Sequence, residues 1–126
     1  MKPLTKEWFE KAEGDLATAE RECRARRMPN YDAVCFHAQQ CAEKHLKAFL
    51  QEHDTEFGKT HNLSMLLDKV VTIAPMLEIL RSSLQTLNIY AVEYRYPGES
   101  ADKEMAKKAL KLCQSVRNTL IELIVK

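Results

Sequence analysis

The sequence is poor in the residues that turn-rich folds need. It contains three glycines and four prolines among 126 residues, whereas β-sandwiches, barrels, dinucleotide-binding folds and disordered linkers use many such positions. No apolar run approaches the roughly twenty residues that span a bilayer, and the charged N-terminus lacks the apolar stretch of a signal peptide. These absences predict a soluble, helical protein.

The chain also lacks an excess of charge of either sign. Nineteen basic and eighteen acidic side chains give a formal net charge of +1, which does not favour a dedicated nucleic-acid-binding protein, although a local basic patch remains compatible with it. A chain of 126 residues can bury roughly two-thirds of its unfolded surface in one core. We therefore expect one domain over residues 1–126 that needs no cofactor for stability.

The four cysteines include no Cys-x-x-Cys pair. They fall in helical segments, where thiols behave as small hydrophobes, so we expect a reduced, cytoplasmic protein. Cys41 shares one helix face with His37 and His45, which raises the alternative of a zinc site. One straight helix seldom offers enough ligands at the right distance, so we expect no metal and place both histidines at the edge of the buried stripe.

Apolar side chains that recur every three or four residues predict two long helices at the start of the chain. The first is expected from Leu4 to about Arg27, and Met28-Pro29-Asn30 ends it, because proline excludes the α conformation from the residue before it. Asn30 can then cap a second helix from about Tyr31 to Glu52. Two long helices joined by a tight turn form an antiparallel hairpin.

Three further helices follow the same pattern. After a polar loop over residues 53–60, His61-Asn62-Leu63 is predicted to open and cap the third helix. Pro75 suits the first turn of a fourth helix, which Tyr96-Pro97-Gly98 ends, and Ser100 can cap a fifth. No strand pattern appears, so the sequence predicts an all-α, five-helix up-and-down bundle with two long N-terminal antiparallel helices.

Polar side chains on the second helix are the first candidates for function. Gln40, Glu43 and Lys47 lie on one helix face, at spacings of three and four residues. They can form a ligand-binding surface beside the apolar stripe, or Glu43 and Lys47 can form a routine ion pair that contributes about a few tenths of a kcal/mol. Spacing alone favours the ion pair.

An arginine stands between two tyrosines just before a proline, in Tyr94-Arg95-Tyr96-Pro97. A guanidinium group stacks on aromatic rings and holds carboxylate or phosphate through paired hydrogen bonds. Arg95 can therefore join the bundle to Glu43 or receive the phosphate of a nucleotide. Spacing alone favours the structural ion pair.

Together these segments resemble the HEPN domain family. The resemblance rests on the order of Phe36, Gln39-Gln40, Glu43-Lys44 and Lys47-Ala48, then His61-x-Leu63 with Leu66-Leu67, then Tyr94-Arg95-Tyr96-Pro97. It covers nearly the whole chain and implies an all-α bundle that commonly pairs as a homodimer. Many members of the family are encoded beside a minimal nucleotidyltransferase as toxin–antitoxin pairs, and others are metal-independent ribonucleases.

The ribonuclease members carry an arginine that is followed, after four to six residues, by a histidine. Arg95 matches the arginine, but Ser100, Ala101 and Asp102 occupy the positions for the histidine. RNA cleavage through the 2′-hydroxyl needs a proton-transfer group near the phosphate, and arginine alone stabilises charge. The sequence therefore argues against ribonuclease activity unless His61 or another group replaces the missing histidine.

The resemblance and the residues together give one leading hypothesis and two alternatives. The leading hypothesis is a non-catalytic, homodimeric HEPN protein that works with a separately encoded nucleotidyltransferase and binds a nucleotide or part of that enzyme's substrate. The expected ligand groove is bordered by Arg95, Tyr94, Tyr96, Gln40, Glu43, Lys47 and His61. The alternatives are a ribonuclease toxin that uses Arg95 on RNA, and a structural helical module without a ligand.

Overall fold

The computed structural model of the protein describes residues 1–94 and 96–124. Within these ranges the regular structure is entirely helical. The elements are α1 (Pro3–Arg24), α2 (Tyr31–Glu52), α3 (Leu63–Ile73), a 3₁₀ helix (Pro75–Leu80), α4 (Arg81–Glu93) and α5 (Lys103–Ile124). The predicted all-α, five-helix bundle is confirmed, and no helix in the described part of the chain is long and apolar enough to cross a membrane.

The first two helices form the predicted antiparallel hairpin. Asp15 on α1 contacts His37 on α2 at 2.8 Å, whereas Trp8, earlier on α1, contacts Lys47, later on α2, at 5.3 Å from ring centre to Nζ. Residues later on α2 therefore contact residues earlier on α1, as expected for two antiparallel helices. The hairpin is the frame on which the other helices pack.

The second helix is the centre of the bundle, since it packs against α1, α3, α4 and α5. Its large apolar side chains Leu46 and Phe49 are buried, and each such burial stabilises the fold by about 1.5–3 kcal/mol. Because neighbours surround the helix on several sides, polar side chains become buried as well. Among those on α2 are Gln39, Glu43, His45 and Lys47.

Two helix ends differ from the prediction. The first helix ends at Arg24 rather than Arg27, because the chain is already extended at Ala25 and Met28 adopts a positive φ of 46° in the turn toward α2. The fifth helix is capped by Asp102 rather than Ser100, since the Asp102 carboxylate accepts a hydrogen bond from the Met105 N–H at 2.8 Å.

The segment after Pro75 begins as a 3₁₀ helix, and α4 starts only at Arg81. Ala74, Leu77 and Leu80 are all buried, at intervals of three residues. A 3₁₀ helix has three residues per turn and aligns such side chains on one side. The predicted fourth helix is therefore two elements, a 3₁₀ helix over Pro75–Leu80 and an α-helix over Arg81–Glu93.

Asparagine side chains cap α2 and α3 at their N-terminal ends. Asn30 accepts from the Ala33 N–H at 3.0 Å, as predicted. In His61-Asn62-Leu63 the capping residue is Asn62, whose oxygen accepts from the N–H groups of Ser64 and Met65. Each cap stabilises its helix by about 1 kcal/mol. Because Asn62 caps α3, the His61 imidazole is available for another contact.

Candidate functional site

The loop between α2 and α3 returns along α2 and brings His61 beside the middle of that helix. Its turn is held by the hydrogen bond from the Thr55 N–H to the Leu50 carbonyl, at 2.9 Å. Farther along, the Gln39 side chain donates to the His61 carbonyl at 3.1 Å. His61 is thereby placed opposite Glu43. At a rise of 1.5 Å per residue, Glu43 lies roughly 13 Å along the helix axis from the end of α2.

An exposed imidazole rests on a buried carboxylate at this point. The Glu43 side chain is 3% exposed, whereas the His61 side chain is 76% exposed. His61 Nδ1 lies 3.1 Å from each carboxylate oxygen. A carboxylate accepts but does not donate, so Nδ1 carries the shared hydrogen and Nε2 is available to a ligand or for proton transfer.

Lys47 lies on the inner side of this pair. Its ammonium group donates to Glu43 at 3.1 Å and is almost fully buried. The rings of Trp8 and Phe57 cover it, with centres 5.3 and 5.6 Å from Nζ, a geometry that favours a cation. Lys47 therefore neutralises Glu43 from within the fold and is not positioned to touch a ligand.

A cleft of about 650 Å³ opens beside His61. We call it the amide cleft, because four side-chain amides stand in its wall together with an aromatic and two aliphatic groups. Its lining residues are Phe36, Gln39, Gln40, His61, Asn62, Asn88, Ala91 and Val92. The cleft thus lies between α2, the start of α3 and the end of α4.

The amides of the cleft are linked in pairs, which fixes their orientation. Gln40 donates to the Gln39 oxygen at 2.8 Å, and Asn88 donates to the Asn62 oxygen at 3.4 Å while accepting from the Leu63 N–H at 3.3 Å. Among the described contacts the oxygen of Gln40 has no donor. The cleft therefore presents pre-organised amides, and the Gln40 oxygen is open to a donor on a ligand.

The structure brings together only part of the predicted groove. Gln40 and His61 line the amide cleft, with Glu43 and then Lys47 behind His61. Tyr94 instead packs into the bundle, where its hydroxyl lies 2.8 Å from the Met105 sulfur and burial raises the pKa of its phenol. Tyr96 is exposed outside the cleft lining. Arg95 lies outside the described residues.

Sequence reasoning did not select Asn62 and Asn88 as site residues. The sequence identified Asn62 only as part of a helix-capping segment. Asn62 joins the cleft lining because Asn88 on α4 donates a hydrogen bond to its side-chain oxygen. Asn88 directly follows the buried Leu87 on α4, so a lone amide beside an apolar stripe was the available signal. Their proximity depends on the packing of α3 against α4 and is not encoded in spacing.

The histidine face of α2 does not form a metal site. His37 is bound to Asp15, whereas His45 is fully buried rather than at the edge of the stripe, with Nδ1 3.0 Å from the Cys41 carbonyl oxygen. Burial lowers the pKa of His45, although Glu13 nearby opposes the shift. Within residues 1–94 and 96–124 no three His, Cys, Asp or Glu side chains are arranged to hold a metal ion.

The fold and the sequence both identify the class of protein. The chain belongs to the HEPN domain family, whose pattern it matches over residues 5–124. Its structure is similar to the crystal structure of an archaeal HEPN homologue, with a TM-score of 0.71 and 25% sequence identity over 98% of this chain and 99% of the homologue. No curated protein matches the sequence. The resemblance inferred from the motifs of α2, α3 and Tyr94-Arg95-Tyr96-Pro97 is confirmed.

Proposed function

We propose that this HEPN-domain protein binds a nucleotide in the amide cleft and acts as the helical partner of a separately encoded minimal nucleotidyltransferase. In this proposal the protein is a homodimer and does not itself cleave RNA. The observation that carries the proposal is the convergence of four amides, an aromatic ring and an exposed imidazole on one cleft.

The chemistry of the cleft suits a nucleotide. Side-chain amides of Asn and Gln pair with the donor and acceptor edges of bases, and an aromatic side chain such as Phe36 offers a surface on which a base can stack. His61 adds a ring nitrogen that can donate to a phosphate when protonated. A volume of about 650 Å³ falls within the range of small-molecule sites.

The nucleotidyltransferase partnership is supported by the family. Membership implies that related HEPN proteins are encoded beside minimal nucleotidyltransferases as toxin–antitoxin pairs, and such a partner handles nucleotides. A protein that holds a nucleotide or a nucleotide-bearing chain end fits that arrangement. A minimal nucleotidyltransferase in the neighbouring reading frame would support the partnership further.

An apolar surface next to the cleft supports the homodimer. Ile89 and Val92 on α4 are exposed and line a shallow hollow that continues from the amide cleft through Asn88. HEPN domains often dimerise. Burial of this surface against a second copy would remove apolar area from water.

A ribonuclease is the second candidate, and His61 is the observation that favours it. An exposed imidazole oriented by a buried carboxylate can take a proton from a 2′-hydroxyl, and Arg95 supplies a cation elsewhere in the sequence. Ser100, Ala101 and Asp102 still occupy the positions where ribonuclease members of the family carry histidine. The non-catalytic function is therefore preferred.

Calorimetric titration of the full chain with mononucleotides tests the proposal. With nucleoside monophosphates as the mononucleotides, we expect one binding site per chain and a loss of about tenfold in affinity for Gln40→Ala, equivalent to about one or two hydrogen bonds. The matched control is Gln85→Ala, because Gln85 is an exposed amide on α4 outside the cleft. Absence of binding at about 1 mM, or an equal loss in the control, would overturn the proposal.

A further inference from the structure

A second pocket, of about 520 Å³, lies where the end of α1 meets the starts of α2 and α5. It shares no lining residue with the amide cleft. We call it the basic pocket, because half of its lining residues are cations. The lining consists of Cys23, Arg24, Ala25, Arg26, Pro29, Tyr31, Lys103 and Lys107.

The cations of the basic pocket are not neutralised by any residue in the described part of the chain. Arg24, Arg26, Lys103 and Lys107 are exposed, and none of them has an ion pair or a side-chain hydrogen bond with any other described residue. No carboxylate is among the described residues that line the pocket. Like charges held this close repel one another, so an anion that enters the pocket is attracted by all four.

Three carboxylates close to this region in sequence accept hydrogen bonds from backbone N–H groups. Glu22 accepts from the Asn30 N–H at 2.6 Å, Asp32 from the Ala101 N–H at 2.7 Å and Asp102 from the Met105 N–H at 2.8 Å. These bonds hold the connections that form the pocket. The same bonds hold the three acidic side chains on backbone groups outside the pocket lining, and the four cations of the pocket remain unpaired.

The arrangement of the cations suits adjacent phosphate groups. Lys103 and Lys107 are four residues apart and therefore share one face of α5, while Arg24 and Arg26 approach from the end of α1. The pocket also lies at the N-terminus of α5, where the helix dipole favours negative charge. Arginine and lysine are the side chains that bind phosphate most often.

The charge of the whole chain indicates a small ligand rather than a long polyanion. The chain carries a formal net charge of only +1, so the four cations of the pocket are balanced by an acidic remainder of the molecule. An extended nucleic acid that left the pocket would meet this remainder, and non-specific nucleic-acid binding depends on many phosphate contacts. A compact anion is attracted by the pocket alone.

We infer that the basic pocket is a binding site for the diphosphate or triphosphate group of a small molecule. Affinity is expected to rise from orthophosphate to pyrophosphate to tripolyphosphate, because each added phosphate reaches further cations. It is also expected to fall with added salt, since the cations are exposed and screened.

Calorimetric titration of the full chain with inorganic tripolyphosphate, in EDTA and low salt, tests this inference. The test variant is the double substitution Lys103→Ala with Lys107→Ala, expected to weaken binding about tenfold or more from two lost charge contacts. The matched control is Lys69→Ala with Lys108→Ala, which changes the net charge equally at two exposed lysines outside the pocket. The control is expected to bind within about twofold of the unmodified chain.

The inference would be overturned by no binding of tripolyphosphate, by unchanged binding by the test variant, or by an equal loss in the control. A single-stranded RNA probe that binds through Lys103 and Lys107 while tripolyphosphate does not would also overturn it, in favour of a nucleic-acid surface. Tripolyphosphate has no base, and Gln40→Ala is expected to bind it normally. Failure of the basic pocket to bind tripolyphosphate is therefore distinguishable from failure of the amide cleft to bind nucleotides.

Discussion

His61 Nδ1 lies 3.1 Å from both carboxylate oxygens of Glu43, although 18 positions separate the two residues in the sequence. The contact joins a buried charge to the surface of the amide cleft. Lys47 binds the same carboxylate from the inner side. One carboxylate therefore serves both the stability of the bundle and the orientation of the only described imidazole in the cleft lining.

The buried pair Glu43–Lys47 is predicted to be strongly coupled. Glu43→Leu should destabilise the protein by about 3 kcal/mol, because it leaves the buried ammonium of Lys47 without its carboxylate. Adding Lys47→Met should recover at least about 1 kcal/mol, since the second change removes the unpaired charge and keeps an apolar chain against Trp8. Urea unfolding of the two single variants and the double variant measures this coupling.

The exposed pair formed by Glu78 and Arg81 is the control for that cycle. The Arg81 guanidinium lies 2.9 Å from a Glu78 carboxylate oxygen, but the Glu78 side chain is largely exposed. Glu78→Leu should therefore change stability by less than about 1 kcal/mol. Additive effects of the Glu43 and Lys47 substitutions would contradict the structural account of the buried pair.

The buried histidine is predicted to make stability depend on pH. Burial holds the pKa of His45 below its ordinary value, so the unfolded chain binds its proton more readily than the folded chain. The stabilising contribution of the neutral His45 to the free energy of unfolding is fully present above the unfolded pKa of about 6.5. It is lost as pH falls below that value, and the free energy of unfolding then decreases by up to about 1.4 kcal/mol per pH unit.

Urea unfolding between about pH 7.5 and 5.5 measures this dependence. His45→Leu removes the titrating group and should flatten the curve, whereas His53→Gln, at an exposed position after α2, should leave its slope unchanged. A slope that persists in His45→Leu would mean that another group is responsible.

The apolar surface beside the cleft is predicted to be a dimer interface. Light scattering at micromolar concentration should give about twice the chain mass of 14.5 kDa. Ile89→Glu should shift the protein to the monomer, because it places a charge in an apolar contact. Ile79→Glu is the control, since Ile79 is an even more exposed isoleucine and lies on the 3₁₀ helix, away from the cleft. A monomeric unmodified protein would exclude the dimer.

The purified protein is predicted to leave RNA intact. General acid–base catalysis contributes about 10² to 10⁴ in rate, so loss of the family histidine should abolish measurable cleavage of total and transfer RNA over hours in EDTA. Expression in bacteria without an antitoxin should be harmless for the same reason. Cleavage or growth arrest that Arg95→Ala relieves would establish the ribonuclease instead, and His61→Ala would then show whether His61 supplies the proton-transfer group.

Local sequence signals predicted the helices more completely than the cleft. The bounds of α2 are those expected, because the Asn30 cap and a broad apolar face both specify Tyr31–Glu52. Burial at Ala74, Leu77 and Leu80 fits either helical period, so spacing could not separate the 3₁₀ helix from α4. These limits concern single elements and their ends.

The cleft was less predictable because it depends on contacts between elements. The proximity of Glu43 and His61 was suggested by the family resemblance and not by spacing, since a loop of ten residues determines where His61 returns. Asn88 joins the cleft only because α4 packs against the start of α3. Sequence periodicity specifies which face of a helix is buried and leaves open which polar groups meet across that face.

Nuclear magnetic resonance of the side-chain amides tests the central claim, nucleotide binding in the amide cleft, most directly. On titration with adenosine or uridine monophosphate, the NH₂ signals of Gln39, Gln40, Asn62 and Asn88 should shift together and saturate, while the NH₂ signal of Gln85 stays in place. Unchanged cleft amides at about 1 mM nucleotide, or shifts confined to the backbone N–H signals of Lys103 and Lys107, would contradict the account.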